Sequence, residues 1–175
     1  MVAESMTRTF GWRFLDIGRR LERSTSTIGL VRGLCEKPDA GPSAWEAFLE
    51  VADSSMTYRS RYLAQWSLAA VLDLLLTDET NPRSVAYQMQ AIAKHVVELA
   101  RYEDSPLPTA EERLIESLEH RIRTADIAML SGTAPYKGYT ELIERLDEMT
   151  HELPQFFGLL NARYLVHARA ARTMG

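Results

Sequence analysis

Apolar side chains recur every three or four residues along most of this sequence. That spacing places them on one face of an α-helix and predicts amphipathic helices that bury this face in a common core. The first predicted helix runs from Thr7 to Leu34. Its apolar positions are Phe10, Phe14, Ile17, Leu21, Ile28 and Val31. No two-residue turn joins alternating apolar and polar segments, so no strand is predicted and the pattern favours an all-α fold.

Further helices are predicted downstream, making a single-domain bundle of about six helices with short connections. They begin near Ser43, Leu68, Pro82, Thr109 and Thr140. The apolar face of the second includes Met56 and can be followed as far as Leu63, and the helix from Thr109 is expected to reach about Leu130. The predicted apolar face of the last helix consists of Leu142, Leu146, Met149, Leu153 and Phe157. Pro154 lies inside this pattern and is expected to kink or break the helix.

Several of these starts carry capping signals. Ser43-x-x-Glu46 and Thr109-x-x-Glu112 have the spacing of a capping box, in which two side chains satisfy each other's backbone N–H groups. Asn81 followed by Pro82 is typical of an N-cap and a first helical residue. The N–H groups of that helix, from Arg83 onward, would then point outward and favour an anion.

Length and composition limit the class of protein. With 175 residues, of which 46% are hydrophobic, the chain is predicted to be one domain, residues 1–175, with a substantial core. It has no apolar run of about 18 residues, so no membrane-spanning helix and no membrane partner are expected. The net charge of −4 argues against a nucleic-acid-binding surface. A single cysteine, Cys35, and the lack of a signal-peptide pattern predict a cytoplasmic protein.

Motifs for metal, cofactor or nucleophilic chemistry are weak. Glu148-x-x-His151 has ligand spacing on a helix, but His95, His120 and His167 do not complete a di-iron set. No phosphate-binding glycine loop, dinucleotide fingerprint or nucleophile elbow is present. Cys35 has no neighbouring histidine and is interpreted as a small core residue. We therefore predict no metal site and no cofactor.

Two charged clusters stand out against the apolar pattern. Glu22 lies about 100° from Leu21 on the first helix, and a carboxylate beside an apolar stripe needs an arginine partner such as Arg19. The second cluster is Asp78-Glu79-Thr80-Asn81-Pro82-Arg83-Ser84. Arg83, in a predicted first turn, opposes the helix dipole and so is expected to have a specific acceptor, either Glu22 or Asp78. The clusters favour either an internal clamp or a pocket whose arginines hold a ligand carboxylate or phosphate.

An ordered set of motifs resembles the alpha-E family, a bacterial all-helical domain of uncharacterised function that is named for its helices and its Glu-Arg motif. The motifs are Met6-Thr7-Arg8, Gly11-Trp12-x-Phe14-Leu15, Gly18-Arg19-x-Leu21-Glu22-Arg23 and Asp78-x-x-x-Pro82-Arg83-Ser84-Val85. Trp45 and Tyr58-Arg59-x-Arg61-Tyr62 also fit. The resemblance is strongest over residues 6–102. The chain resembles the C-terminal half of longer family members, so it is expected to be a fragment, an isolated domain or a short member. If apolar surface is left uncovered as a result, self-association into a homo-oligomer is expected.

The resemblance implies a context and a set of site residues. Such domains are encoded beside, or fused to, ATP-grasp ligases and transglutaminase-like proteins, which implies a role in making or modifying a peptide. The implied site residues are Arg19, Glu22, Arg23, Asp78, Arg83 and Ser84. Under one hypothesis the domain is non-catalytic and binds the ligase or a peptide-like, anionic ligand. Under the alternative it is an enzyme acting on a peptide or amide, with Glu22 as general acid or base and the arginines stabilising negative charge.

Overall fold

Helices form throughout the part of the chain that the structure describes. The computed structural model describes residues 10–37, 40–63, 65–101, 107–131 and 135–173. Within these ranges there are eight α-helices and no strand. They are α1 (Phe10–Cys35), α2 (Gly41–Val51), α3 (Ser55–Tyr62), α4 (Leu68–Leu76), α5 (Val85–Ala100), α6 (Ala110–Arg123), α7 (Ile127–Ser131) and α8 (Pro135–Thr173). The all-α prediction is confirmed, with eight helices in the described ranges where about six were expected.

A shared hydrophobic core holds the helices together. α1 packs mainly against α5 and α8, α5 also packs against α6, and α4 contacts α1 and α7. Ile17, Ile28 and Val31 of α1 are buried, as are the leucines of the apolar helix α4. The predicted core face of α1 is therefore confirmed at Ile17, Leu21, Ile28 and Val31, and Phe14 of the same face is partly buried. No described helix combines the length and apolar character that crossing a bilayer requires.

The second predicted helix is divided by a turn. α2 starts at Gly41, with Pro42 in its first turn and no side-chain cap, so the capping box expected at Ser43 is wrong. At Asp53 the backbone adopts a positive φ of 51°, which ends the apolar pattern before Met56. Met56 is 79% exposed. The turn separates α2 from α3 and brings Asp53 towards α1.

Two further predicted helix starts have opposite outcomes. The capping box at Thr109 is confirmed, because the Thr109 N–H donates to Glu112 Oε2 (2.6 Å) and the Glu112 N–H donates to Thr109 Oγ1 (3.2 Å). The start at Asn81 is wrong. α5 begins at Val85, and its N-cap is Ser84, whose Oγ accepts from the Tyr87 N–H (3.0 Å). The helix predicted to reach Leu130 also ends earlier, at Arg123.

The last helix is longer than predicted and is not interrupted. α8 already begins at Pro135, so the start predicted near Thr140 is wrong, and the helix continues through Pro154. Packing keeps the helix intact there, because Leu153 and Phe156, on either side of the proline, are both buried. Phe157 was predicted to face the core but is 39% exposed. The three-residue step from Leu153 makes Phe156 the core residue and leaves Phe157 at the surface.

Candidate functional site

Three charged side chains of α1 lie outside the core. Arg19, Glu22 and Arg23 are exposed, whereas Leu21 and Ser24 next to them are buried. Residues three and four apart are neighbours on a helix surface, so the three charges occupy one patch. The expectation that Glu22 needs a partner in apolar surroundings is therefore wrong, since water solvates its carboxylate.

The turn between α4 and α5 is built around the buried side chain of Asn81. Its Nδ2 donates to the Leu74 carbonyl oxygen (2.9 Å) and to Ser54 Oγ (3.3 Å). Its Oδ1 accepts from the Arg83 N–H (3.1 Å). Because these bonds reach both the end of α4 and the start of α3, they fix the backbone of Arg83 against the body of the protein.

Asp78 and Ser84 shape the same turn. Asp78 Oδ1 accepts from both the N–H and the Oγ1 of Thr80, each at 2.8 Å, and the other carboxylate oxygen pairs with Arg61. Ser84 Oγ donates to the Asp78 carbonyl oxygen (2.5 Å) while it caps α5. Both side chains are thus engaged in local structure.

A cleft of about 540 Å³ lies between α1, the end of α2 and this turn. Its lining residues are Arg19, Glu22, Arg23, Ser26, Thr27 and Leu30 of α1, Val51, Ala52 and Asp53 at the end of α2, and Arg83 of the turn. Thr27 joins two of its walls, because its Oγ1 donates to the Arg83 carbonyl oxygen (3.3 Å). The cleft therefore has walls from three separate parts of the chain.

Arg83 is held at the cleft by an ion pair with Asp53. The positive φ of Asp53 is a conformation that Asp tolerates better than most residues, and it turns the carboxylate towards Arg83. The predicted acceptors, Glu22 and Asp78, are both wrong. The Arg83 guanidinium is partly neutralised, with its side chain 37% exposed.

Arg19, Glu22 and Arg23 are different, because within the described chain their side chains make no hydrogen bond or ion pair. Most arginines there pair with a carboxylate, as Arg20 does with Asp16 (2.6 Å). Arg123, in the last turn of α6, is another described arginine without such a partner. The cleft thus holds two cations and one anion that nothing else in the described structure engages.

The predicted site residues are only partly brought together. Arg19, Glu22, Arg23 and Arg83 line the one cleft. Asp78 and Ser84 do not line it, since the turn uses both side chains internally. Asp53 was not predicted, and no signal near it in the sequence links it to Arg83.

The chain matches the sequence profile of the alpha-E family over residues 1–165. That family is described as a predicted alpha-helical domain with a conserved ER motif. The chain is an alpha-E domain. The resemblance drawn from its motifs is confirmed, although Met6-Thr7-Arg8 lies outside the described residues.

The relatives of this alpha-E domain are much longer proteins. It is 30% identical over 168 residues to an uncharacterised protein of Mycobacterium bovis and to uncharacterised proteins of two Mycobacterium tuberculosis strains. The matched region covers 94% of the chain but 19% of each relative. No solved structure matches the chain.

Three Glu-Arg dipeptides occur in the domain, at Glu22-Arg23, Glu112-Arg113 and Glu144-Arg145. In the second, Glu112 caps α6 and Arg113 donates to the Pro108 carbonyl oxygen (2.7 Å). In the third, Arg145 pairs with Glu141 (2.7 Å). Of the three, the first lines the cleft.

Sequence reasoning missed a polar network between α1 and α5. Asp16 Oδ2 accepts from Arg20 Nε (2.6 Å) and lies 2.7 Å from His95 Nε2. Arg20 Nη1 donates to Gln88 Oε1 (3.1 Å), and Gln88 Nε2 donates to the Pro82 carbonyl oxygen. The network thus reaches from α1 to the turn that carries Arg83. The one local sign of this network in the sequence is the spacing of Asp16 and Arg20, which are four residues apart and so are neighbours on a helix.

Two side chains of α1 outside the cleft have pKa values shifted from their usual values. Burial acts to raise the pKa of Asp16, but hydrogen bonds from Arg20 and His95 outweigh it and hold that pKa below the usual 3.8. Burial, with a smaller contribution from Glu36, raises the pKa of the Cys35 thiol to about 12. Cys35 is buried, which confirms its interpretation as a core residue, and its thiol would be a poor nucleophile.

The candidate metal ligands lie apart from the cleft. Within the described ranges, no three His, Cys, Asp or Glu residues come together as a metal site would require. Glu148 is exposed on α8, 3.7 Å from Arg121. His151 Nδ1 lies 2.8 Å from the carbonyl oxygen of Asp147.

Proposed function

We propose that this alpha-E domain is a non-catalytic component that binds an anionic, peptide-like group in the cleft of Arg19, Glu22, Arg23 and Arg83. One observation carries the proposal. Arg19 and Arg23 both face the cleft, and neither has a partner in the described structure. Guanidinium groups bind carboxylates and phosphates with charge-assisted, often bidentate hydrogen bonds.

The balance of charge supports a ligand of low negative charge. Three arginines face two carboxylates in the cleft, and Asp53 is already paired with Arg83. Arg19 and Arg23 are four residues apart on one helix face, so their like charges repel. A bound carboxylate would relieve this repulsion. Glu22 would accept a hydrogen bond from an amide or amine of the same ligand.

The larger setting is also a proposal, and it rests on the family resemblance. We propose that the domain serves an ATP-grasp ligase or a transglutaminase-like protein in the cytosol, holding a product or substrate of peptide synthesis or modification. The relatives are long enough to contain further domains, since the matched region is 19% of each. Immobilised domain would bind such a ligase in a pull-down with purified proteins. If the ligase does not bind, either with or without the peptide ligand, the proposed partner is contradicted. The proposed ligand site in the cleft is tested separately.

The cleft is tested by titrating acetyl-trialanine, which has a free carboxylate, and its neutral amide. We expect the carboxylate form to bind more tightly than the amide. Arg23→Ala should weaken its binding about fivefold, and Arg19→Ala similarly, because each removes a charge-assisted hydrogen bond at an exposed site. Calorimetry or NMR titration would give the dissociation constants. Stability should stay within about 0.5 kcal/mol of wild type, since neither side chain has an internal partner to lose.

Arg145→Ala is the matched control, because Arg145 is also an exposed arginine on a helix surface but lies outside the cleft. It should leave the affinity for acetyl-trialanine unchanged. Equal weakening by all three substitutions would indicate a general effect of net charge and contradict a site in the cleft.

One observation also supports the enzyme alternative. Glu22 is exposed and lines a concave surface beside arginines, which is the arrangement that a general acid or base would need. Glu22→Gln distinguishes the two hypotheses when the wild type and the variant are assayed for peptide ligation or hydrolysis. A binding role predicts a higher KM with kcat retained, whereas an acid–base role predicts that kcat falls by about a hundredfold or more.

A further inference from the structure

A second depression lies on the other side of Glu22, between α1 and α8. It has a volume of about 300 Å³, near the lower end of the usual range for ligand pockets. Its walls are formed by Gly18, Leu21, Glu22 and Thr25 of α1 and by Leu153, Pro154 and Phe157 of α8. We call it the α1–α8 groove.

The groove is apolar apart from Glu22. The Thr25 hydroxyl donates to the Leu21 carbonyl oxygen (3.0 Å), which occupies its polar atom within α1. Phe157 leaves the core face of α8 and exposes 39% of its surface here. Gly18 has no side chain, and a Cβ built at this position would meet no atom within 4 Å. The floor of the groove is therefore open.

Glu22 is shared by the groove and the charged cleft. On an α-helix with about 100° per residue, Gly18 and Thr25 lie on one side of Glu22, and Arg19 and Arg23 lie on the other. The two surfaces thus meet along α1 with one carboxylate between them. A ligand long enough to cross this position would contact a cationic patch, then a hydrogen-bond acceptor, then an apolar surface.

We infer that the α1–α8 groove is the second subsite of the same ligand site and receives an apolar side chain. This inference rests on the proposed binding of an anionic group in the cleft. The chemistry that fits all three surfaces is the C-terminal end of a peptide with an apolar residue. Its carboxylate would bind Arg19 and Arg23, its backbone N–H would donate to Glu22, and its side chain would pack on Pro154 and Phe157.

The test compares acetyl-trialanine with acetyl-dialanyl-leucine, both with free carboxylates, on the wild-type chain and on two glycine variants. The wild type should bind the leucine peptide about tenfold more tightly, because the larger side chain buries more apolar surface. Gly18→Leu fills the groove and should bind both peptides equally. It should fold well, because leucine favours a helix more than glycine and its Cβ meets no neighbour.

Gly29→Leu is the matched control. Gly29 also lies within α1, with open space around a Cβ, but does not line the groove. It should retain the full preference for the leucine peptide. Loss of the preference in both variants would point to a change in α1 itself and overturn the assignment of the groove.

The remaining outcomes separate this inference from the proposed function. If acetyl-trialanine binds and Arg23→Ala weakens it, but leucine gives no advantage, the cleft is supported and the apolar subsite is overturned. If neither peptide binds, both are overturned. If the wild-type chain is a dimer in sedimentation and Gly18→Leu is a monomer, the groove is a contact between copies of the chain and not a ligand subsite.

Discussion

Replacing Asp16 with alanine is expected to destabilise the domain by about 3 kcal/mol. The Asp16 carboxylate is the anion shared by Arg20 and His95, at 2.6 and 2.7 Å, and its side chain is 19% exposed. Without it, Arg20 remains at the α1–α5 interface with no counter-charge, and His95 loses a hydrogen-bond partner. Urea denaturation followed by circular dichroism measures the loss. The expected fall in Tm is about 2–4 °C for each kcal/mol.

Glu141→Ala is the control for this prediction. Glu141 also pairs with an arginine four residues away, Arg145, but both side chains are about half exposed. Its removal should change the free energy of unfolding by less than about 0.5 kcal/mol. If Asp16→Ala and Glu141→Ala have the same small effect, the α1–α5 network contributes no more than a surface ion pair.

The Asp16 network also predicts a pH dependence. The pKa of Asp16 is lowered on folding, so its contribution to stability is present above the unfolded pKa of about 3.9 and is lost as the pH falls through the folded value. The wild-type chain should therefore exceed Asp16→Asn in stability most clearly above about pH 5. The difference should shrink below about pH 4. A difference that grows on acidification would contradict this sign.

Asn81→Ala is expected to cost about 3 kcal/mol. The Asn81 side chain is buried and makes three hydrogen bonds, to the Leu74 carbonyl oxygen, to Ser54 Oγ and from the Arg83 N–H. Alanine removes all three and leaves buried polar groups without partners, which costs more than the loss of an exposed bond. Chemical denaturation measures the change in the free energy of unfolding.

Gln90→Ala is the control for Asn81→Ala. Gln90 lies on α5, and its side-chain amide donates a long, exposed hydrogen bond to Glu79 (3.4 Å). It should be nearly neutral. The Asn81 variant should also weaken acetyl-trialanine binding, since the turn that carries Arg83 would no longer be fixed. Full stability in Asn81→Ala would mean that the other hydrogen bonds of the turn, made by Asp78, Ser84, Thr27 and Gln88, are sufficient to hold it.

The local part of the fold and of the candidate site was predictable from sequence. Helical spacing identified Ile17, Ile28 and Val31 as core residues, and Thr109 was recognised as a cap because its partner Glu112 is one turn away. Spacing also placed Arg19, Glu22 and Arg23 on one surface of α1. In each case the evidence lies within one or two helical turns.

Other features depended on contacts between distant parts of the chain. Arg83 binds Asp53, 30 residues away, and Asp16 meets His95, 79 residues away. No local pattern indicates either pair. Phe157 was assigned to the core because its spacing fits a helix face equally well, and only the tertiary packing of α8 decided that Phe156 is buried in its place.

The sequence by itself determined that this protein is helical, that it belongs to the alpha-E family and that α1 carries Arg19, Glu22 and Arg23 at neighbouring positions. Those properties follow from hydrophobic periodicity and ordered motifs, which act over a few residues. Only the tertiary structure decided that Arg83 joins the patch in a cleft, that Asp78 and Ser84 serve the turn, and that an apolar groove adjoins Glu22. The physical reason is that a cavity is a property of the surfaces that several helices leave between them.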